Sequence, residues 1–232
     1  MINFSLRSND EEIMDDLNFE GEVLGQTLRE LEFINKWLGG NAVTISALDK
    51  VIQSCKANPV KIADLGCGSA EMLKIISDRY PNINLKLTGI DANDYVVNHA
   101  RNNCVNYKNI EIFKHDIFSE EFRNMNFDIM LCTLFLHHFT NDQLTELFRQ
   151  MSGQVSTAVI VNDIHRHPLA YYSIKGLTSL FSKSYMVKYD AALSVLRAFK
   201  KNELSMLLQN SGFSAVSIKW KWAFRYQVIL YK

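Results

Sequence analysis

The first part of the chain alternates apolar and polar residues with the spacing of amphipathic helices. One face of the first predicted helix carries Leu24, Leu28, Leu31, Ile34 and Leu38. Gly39 and Gly40 then end this helix. Thr44 is expected to cap a second helix, whose inward side chains are Leu48, Val51, Ile52 and Cys55. We therefore expect residues 1–58 to form a helical extension, or lid, on the rest of the protein.

The pattern changes at residue 59, where short apolar runs begin to alternate with amphipathic stretches. Strands are predicted over residues 60–65, 83–91, 110–116, 127–134 and 157–164. Helices are predicted between them, over residues 69–80, 93–103 and 141–151. Strands that alternate with helices in this way form a parallel sheet with helices on both faces.

The last third of the chain departs from this alternation. Residues 165–199 are longer than an ordinary connection and carry many aromatic side chains, so we expect a helical insert there. A further helix is predicted over residues 201–212, where a glycine ends it. The β-rich runs 213–222 and 225–232 are separated by about two residues and are expected to pair as an antiparallel hairpin. The predicted fold is α/β, with a seven-stranded, mostly parallel sheet in one domain over residues 59–232.

Composition narrows the classes of function. Of 232 residues, 47% are hydrophobic and 22% charged, and the formal net charge is zero. This balance gives no indication of a nucleic-acid partner, and no apolar run is long enough to span a membrane. The N-terminus is acidic and polar, unlike a secretory signal. The four cysteines form no CxxC pair and are typical of reduced thiols, so we expect a cytoplasmic protein.

The stretch IADLGCGSAEM, residues 62–72, ends a predicted strand with an acid and a glycine-rich turn. Gly66 and Gly68 let the backbone approach a ligand at the carboxyl end of a parallel sheet. A dinucleotide fingerprint would need its third glycine at Glu71, where a carboxylate repels a diphosphate. Asp64, just before the turn, favours a cationic ligand. These residues argue against a nicotinamide-dependent oxidoreductase, which stays as an alternative.

The stretch DLGCGSA resembles the first motif of the class I S-adenosylmethionine-dependent methyltransferases, an acid followed by GxGxG, with Ala70 in place of the third glycine. The resemblance covers residues 59–232 and implies a Rossmann-like fold with S-adenosylmethionine as cofactor. It assigns Asp91 in LTGIDAN to the ribose hydroxyls, and Asp116 in HDIF to the adenine amino group. The implied cofactor contacts are Asp64, Gly66, Gly68, Asp91, Ala92, Asp116, Ile117 and Cys132. Taken singly, these residues are also compatible with a tight turn or a helix cap.

The stretch CTLFLHHFTND, residues 132–142, follows the fourth predicted strand and resembles small-molecule O-methyltransferases that have a histidine base. The match puts His137 at the base position, next to His138, for which a structural role is expected. Phenols have a pKa of about 10 and benefit from a base. His137 could instead cap the next helix or line the cofactor pocket, and LHHF also occurs in methyltransferases of quinone biosynthesis. We expect O-methylation of a small aromatic or polyketide-like acceptor in secondary metabolism, with C-methylation as the alternative.

Other residues narrow the nature of the acceptor. The (Asp/Asn)-Pro-Pro-aromatic motif of DNA and amine N-methyltransferases is absent after the fourth strand, which leaves a small molecule or a protein side chain as the acceptor, and a small molecule is expected. Cys132 and Thr133 stand where metal-dependent catechol-type enzymes have a carboxylate, so no metal is expected. His165, Arg166 and Arg197 are further candidates for acceptor contacts, with Arg197 on an acidic group. The aromatic insert and the N-terminal helices are expected to form a lid over a flat hydrophobic acceptor.

Overall fold

The structure, a computed structural model, describes residues 2–232. Its seven strands are β1 (Val60–Leu65), β2 (Leu85–Asp91), β3 (Ile110–Lys114), β4 (Phe127–Thr133), β5 (Val155–Ile164), β6 (Ala215–Lys221) and β7 (Arg225–Tyr231). They form one sheet in the order β3-β2-β1-β4-β5-β7-β6. The first five strands pair in parallel, and β7 runs antiparallel to both of its neighbours. The predicted sheet, including its closing hairpin, is confirmed.

Nine α-helices surround this sheet in the described part of the chain. They are α1 (Glu22–Trp37), α2 (Gly40–Val51), α3 (Glu71–Arg79), α4 (Asp94–Asn103), α5 (Glu120–Arg123), α6 (Asn141–Gln154), α7 (Pro168–Phe181), α8 (Tyr185–Arg197) and α9 (Lys201–Leu208). Short 3₁₀ turns lie at Ile13–Asp15, Ile52–Ser54 and Leu136–His138. The insert predicted over residues 165–199 contains two helices, α7 and α8, which pack against each other. Within residues 2–232, no helix has the length and apolar character needed to cross a membrane.

The core lies on both faces of the sheet, which explains the nearly unbroken apolar strands. In β1, five of the six residues are buried, and Lys61 is the exposed exception. One face packs against apolar side chains of α2, α3 and α4, and the other against those of α6 and α9. Because both faces are covered, a ligand has no access to the faces of the sheet, and ligands of such sheets bind at the carboxyl ends of the strands.

The second helix begins four residues before the cap predicted at Thr44, so that prediction is wrong. Thr44 is fully buried inside α2, where its hydroxyl accepts a hydrogen bond from Asn162 Nδ2 at 3.0 Å. The same Asn162 group donates to the Gly40 carbonyl at 2.9 Å, and Gln227 Nε2 donates to the Val43 carbonyl at 2.6 Å. The second helix of the extension is thus bonded directly to β5 and β7. The division into residues 1–58 and 59–232 stays a prediction.

Residues 2–16, which we call the N-terminal segment, cross the carboxyl edge of the sheet. Two buried or half-buried arginines hold this segment in place. Arg166 donates to the carbonyls of Phe4 at 3.1 Å and Ser5 at 3.2 Å. Arg7 of the segment donates to the carbonyls of His137 at 3.0 Å and Phe139 at 2.9 Å. These bonds bring the 3₁₀ turn Ile13–Asp15 and its neighbour Glu12 to the edge where ligands of such sheets bind.

Candidate active site at the carboxyl edge of the sheet

A cavity of about 430 Å³ opens at the carboxyl edge of the sheet. Its lining combines the glycine turn after β1, the segment after β4, and parts of the N-terminal segment, α1, α7, α8 and the β6–β7 turn. Four of the predicted site residues line it together: Asp64, Gly66, Gly68 and His137. The volume is that of a pocket for a small organic ligand.

The glycine turn leaves room for a ligand next to a buried acid. Asp64 is 3% exposed, and its Oδ1 has no hydrogen-bond partner among the described residues. Burial, together with the nearby charge of Asp91, raises the pKa of Asp64 to about 8. Gly66 and Gly68 have φ of 67° and 52°, a region that favours glycine. A Cβ on Gly66 would lie 2.2 Å from the ring of Phe135, so this position admits no side chain.

Ala70 shows what the missing third glycine of the motif changes. It is fully buried and has φ of 60°, so an alanine holds a left-handed backbone conformation. This conformation costs an L-residue roughly 1–2 kcal/mol. The departure from GxGxG therefore affects the backbone energy of the turn.

The other predicted cofactor contacts lie near the same edge but do not line the cavity. Asp91, at the end of β2, accepts hydrogen bonds from the Gly68 N–H at 3.2 Å and the Asn93 N–H at 3.1 Å. Burial raises its pKa. Asp116 is exposed and accepts from the Phe118 N–H at 2.8 Å.

Three of the remaining predicted contacts are at least partly covered. Ile117 and Cys132 are buried, and Ala92 is half-buried. Burial raises the pKa of the Cys132 thiol well above its ordinary value. The assignment of Ala92, Asp116, Ile117 and Cys132 to the cofactor therefore stays a prediction.

His137 forms a buried pair with an acid that the sequence analysis did not single out. Its Nδ1 lies 2.8 Å from Oδ1 of Asp163, at the end of β5, and both side chains are almost fully buried. Asp163 also accepts the N–H groups of Leu136 at 2.9 Å and Ile164 at 2.7 Å. Burial alone would raise the pKa of Asp163, but the charge and hydrogen bond of His137 outweigh it, and the pKa is lowered. Because an ionised carboxylate only accepts hydrogen bonds, the proton of this contact lies on Nδ1 of His137, and Nε2 is the nitrogen that does not face Asp163.

The free ring nitrogen of His137 faces Glu12 from the N-terminal segment. Nε2 lies 3.7 Å from Glu12 Oε1, which is enclosed and has no hydrogen-bond partner among the described residues. The other oxygen of Glu12 accepts from the Ser194 hydroxyl at 3.0 Å. Burial raises the pKa of Glu12 to about 7. Both His137 and Glu12 line the cavity, so a hydroxyl group placed there could contact two titratable groups.

His138 has a different partner. Its Nδ1 lies 2.6 Å from Asp15 Oδ1, and Asp15 also pairs with Arg197. Burial would raise the pKa of Asp15, but the bonds to His138 and Arg197 hold it well below its ordinary range. One ligand atom each from Glu12, His137 and His138 lie within 4.8 Å of one another, a spacing that could hold a metal ion. The expectation that the site uses no metal thus stays a prediction.

The weaker candidates of the sequence analysis have structural partners. Arg197 donates to the carbonyls of His137 at 3.3 Å and Asp10 at 3.1 Å, so it is not free to hold an acceptor. Arg166 bonds the N-terminal segment and forms an ion pair with Glu203. His165 lies outside the cavity, in a separate surface pocket beside His167.

Comparisons with known proteins concern the family and the fold of this chain. Residues 62–157 match the family model of a methyltransferase domain. The carboxy-S-adenosyl-L-methionine synthase of Sulfurimonas denitrificans is 25% identical over 176 residues, which are 69% of this chain and 72% of that protein.

Solved structures share the fold at low sequence identity. The plantazolicin methyltransferase BpumL in complex with a substrate analogue and S-adenosylhomocysteine matches with a TM-score of 0.65 and 18% identity, over 90% of this chain and 89% of that chain. Human N-acetylserotonin methyltransferase in complex with S-adenosylmethionine matches with a TM-score of 0.62 and 20% identity, over 90% of this chain and 56% of that chain. The chain spans little more than half of the human enzyme.

Residues 62–157 thus match a methyltransferase domain, which is consistent with the class I methyltransferase domain predicted from the sequence. The predicted Rossmann-like fold is confirmed, and the solved structures that share it hold S-adenosylmethionine or S-adenosylhomocysteine, the cofactor predicted from the sequence.

Proposed function

We propose that this methyltransferase transfers a methyl group to an oxygen atom of a small aromatic or polyketide-like acceptor, with His137 as general base. The observation that carries the proposal is the buried pair of His137 and Asp163. It directs Nδ1 of His137 to Asp163 and leaves Nε2 on the side of Glu12, in the same cavity as the glycine turn. A base held in one tautomer next to a cofactor site is what deprotonation of a hydroxyl requires.

The residues of the glycine turn suit S-adenosylmethionine. This cofactor supplies an electrophilic methyl group on a sulfonium, and its amino-acid end adds an ammonium group. The unpartnered Oδ1 of Asp64 offers a carboxylate to positive charge, and the raised pKa of Asp64 is the direction that a nearby cation would reverse. Gly68 has open space where a side chain would lie, with only Leu28 at 3.9 Å, so the backbone can approach the cofactor.

Residues of this chain remove the proton of the acceptor hydroxyl group. Nε2 of His137 accepts the proton of the acceptor hydroxyl as that oxygen becomes a nucleophile. The ionised Asp163 stabilises the imidazolium that results and keeps the ring oriented. Apolar lining residues exclude water from the reacting oxygen, which suits a step in which positive charge disappears; they include Leu28, Leu31, Ile174, Leu177 and Trp222.

Product analysis tests the proposal. The protein is incubated with S-adenosylmethionine and a panel of phenols, hydroxyquinones and aliphatic polyketide alcohols, and the products are examined by mass spectrometry and NMR. Methyl ethers support the proposal, and a methyl group on a carbon atom of the acceptor would replace it with the C-methyltransferase alternative. A modified cofactor without any methylated acceptor would favour the chemistry named for the bacterial relative. A small-molecule acceptor without nucleic acid is part of this proposal, so RNA and DNA substrates belong in the same panel.

A further inference from the structure

Arg225 is a buried arginine that makes no side-chain hydrogen bond or ion pair with the residues that the structure describes. It begins β7 beside the last residue of β5, at the edge where the cavity opens, and its exposure is 5%. Its Nε and Nη1 are enclosed and have no hydrogen-bond partner among residues 2–232, and no carboxylate of these residues lies within ion-pair distance. Arg225 nevertheless lines the cavity.

Two other buried arginines show how unusual this arrangement is. Arg166 and Arg197 are similarly covered, yet each bonds backbone carbonyls and a carboxylate. A buried charge without a partner destabilises the fold, because it has lost its hydration without gaining a counter-charge. Burial lowers the pKa of Arg225 to about 10, an effect that the charge of Asp163 partly opposes, so the guanidinium keeps its proton at neutral pH. A negatively charged ligand group in the cavity would supply the direct partner that the described residues lack.

The surroundings leave space for the Arg225 side chain at the wall of the cavity. A Cβ on Gly40 would lie 2.9 Å from Arg225 Cζ and 1.9 Å from Oδ1 of Asn35, so only glycine leaves both side chains where they are. Asn35 lines the cavity as well. The other charged side chains of the lining are acidic except for the histidines: Glu12, Glu32, Asp64, Glu71 and Asp190. An anionic ligand group would be repelled from those acids, and Arg225 is the cation that can receive it.

We infer that Arg225 binds a carboxylate group of a molecule in this cavity, through the forked N–H donors that arginine offers to carboxylates. The carboxylate belongs either to the acceptor or to the amino-acid end of the cofactor. The inference rests on the proposed function in that both molecules are those the methyltransferase site would hold. It adds a binding residue that the sequence analysis did not identify, and it transfers to Arg225 the role that had been suggested for Arg197.

The test measures binding to wild type and to Arg225→Met by calorimetry. S-adenosylhomocysteine and 5′-methylthioadenosine, which lacks the amino-acid end, probe the cofactor source. Salicylate and phenol, added to protein saturated with S-adenosylhomocysteine, probe the acceptor source. Arg149→Met, an exposed arginine of α6 outside the cavity, is the matched control.

Each outcome of these measurements has one meaning. A loss of about tenfold or more for S-adenosylhomocysteine, with methylthioadenosine unchanged, assigns the carboxylate to the cofactor. The same loss for salicylate, with phenol and S-adenosylhomocysteine unchanged, assigns it to the acceptor. If a folded Arg225→Met variant binds all four probes like wild type, the inference is overturned.

The inference stays testable if Arg225→Met does not fold, and its failure can be told apart from failure of the proposed function. If Arg225→Met does not fold, Arg225→Lys is used instead, because it keeps the positive charge but loses the forked N–H donors. We then expect a smaller loss of affinity, for either S-adenosylhomocysteine or salicylate alone. Equal binding of every probe by a folded Arg225→Lys and wild type, in the absence of a folded Arg225→Met, overturns the inference too. Failure of wild type to bind S-adenosylhomocysteine at all would count against the proposed function, whereas wild-type binding that is insensitive to residue 225 counts against this inference alone.

Discussion

The glycine turn and the surroundings of His137 line one cavity, but different kinds of contact hold them. In the turn, backbone conformation and the neighbouring strand β2 hold residues 66–68, because the Ile90 carbonyl accepts from the Gly66 and Cys67 N–H groups and Asp91 accepts from Gly68. Around His137, buried ionisable side chains from distant parts of the chain supply the main contacts. Glu12 meets Ser194 across 182 positions, and Arg7 meets the His137 carbonyl across 130.

This difference indicates where the site is sensitive to change. The turn depends on local geometry, so substitutions there are expected to act through backbone strain and cofactor affinity. The surroundings of His137 depend on buried ionisable groups from four segments. Breaking a buried polar network costs more free energy of unfolding than breaking an exposed one. We therefore expect the largest effects, and those that depend most on pH, on the His137 side.

Replacing His137 gives the largest expected effect. His137→Ala should lower turnover by about 10²- to 10⁴-fold, because the proton of the acceptor loses its base. Affinity for S-adenosylhomocysteine should stay nearly unchanged, because the glycine turn is not altered. Steady-state rates with a phenolic acceptor and calorimetric binding check the two halves of this prediction.

The control for this variant is His99→Ala, a histidine of α4 that does not line the cavity. It should keep wild-type turnover. An unchanged rate in His137→Ala would remove the base assignment and leave positioning as the main contribution of the protein. Stoichiometric binding of a divalent ion, lost together with turnover on chelation, would instead point to Glu12, His137 and His138 as metal ligands.

Replacing Glu12 tests the cost of burying an acid beside His137. The pKa of Glu12 is raised to about 7 in the folded protein, so folding favours the protonated form of this carboxyl group. The wild type therefore loses stability as the pH rises from the pKa of Glu12 in the unfolded chain towards 7. Glu12→Gln keeps an acceptor for the Ser194 hydroxyl but carries no charge. It should therefore be more stable than wild type above pH about 7, by at most about 3 kcal/mol, and the gain should shrink towards pH about 5. Urea unfolding at both pH values measures this.

The exposed neighbour Glu11 offers a matched comparison. Glu11→Gln should change the free energy of unfolding by less than about 0.5 kcal/mol at either pH. A Glu12→Gln variant that is less stable than wild type at high pH would show that the ionised carboxylate has a favourable partner, such as Arg197 at 3.9 Å, that outweighs its burial.

The same contrast explains how much of the site could be predicted from the sequence. The strands, the hairpin and the glycine turn follow from periodicity and from residues close together in the chain. Glu12 could not be found in this way, because its role depends on a fold that carries the N-terminal segment across the sheet edge. Asp163 had a signal that was available: it is an acid at the carboxyl end of a parallel strand, like Asp64 and Asp91.

The arginines illustrate the same limit. Arg197 and Arg225 have the same chemistry in the sequence, and only the packing shows that Arg197 bonds backbone carbonyls while Arg225 has no partner. The predicted hairpin does put the first residue of its second strand at the ligand-binding edge, since that strand runs antiparallel to β5. Sequence reasoning could have proposed Arg225 on that ground, but not its lack of a counter-charge.

On the glycine-turn side, Asp64 should couple cofactor binding to pH. Its pKa is raised to about 8 in the free protein, and a bound cation favours the ionised form and lowers that pKa. Affinity for S-adenosylmethionine should therefore rise with pH, by at most about tenfold per unit, and level off above pH about 8. Asp64→Asn should remove this slope, and Asp142→Asn, exposed on α6, should keep it. Calorimetry in buffers of different ionisation enthalpy checks whether protons are released, and a flat wild-type profile would contradict the proposed contact.

The smallest expected effect, at Ala70, tests whether local backbone geometry holds the turn. Ala70→Gly relieves roughly 1–2 kcal/mol of left-handed strain, but it loses a buried methyl group worth about 0.8 kcal/mol and adds about 0.5–1 kcal/mol of chain entropy. Its free energy of unfolding should stay within about 1 kcal/mol of wild type. Ala63→Gly in β1 is the matched control, because Ala63 is also fully buried and its φ is not positive, so the variant has only the two losses. Urea unfolding should therefore show that Ala63→Gly is less stable than Ala70→Gly by roughly the 1–2 kcal/mol of left-handed strain that only Ala70→Gly relieves. Equal losses would mean that contacts with the rest of the site, and not the conformation of residue 70 itself, determine the turn.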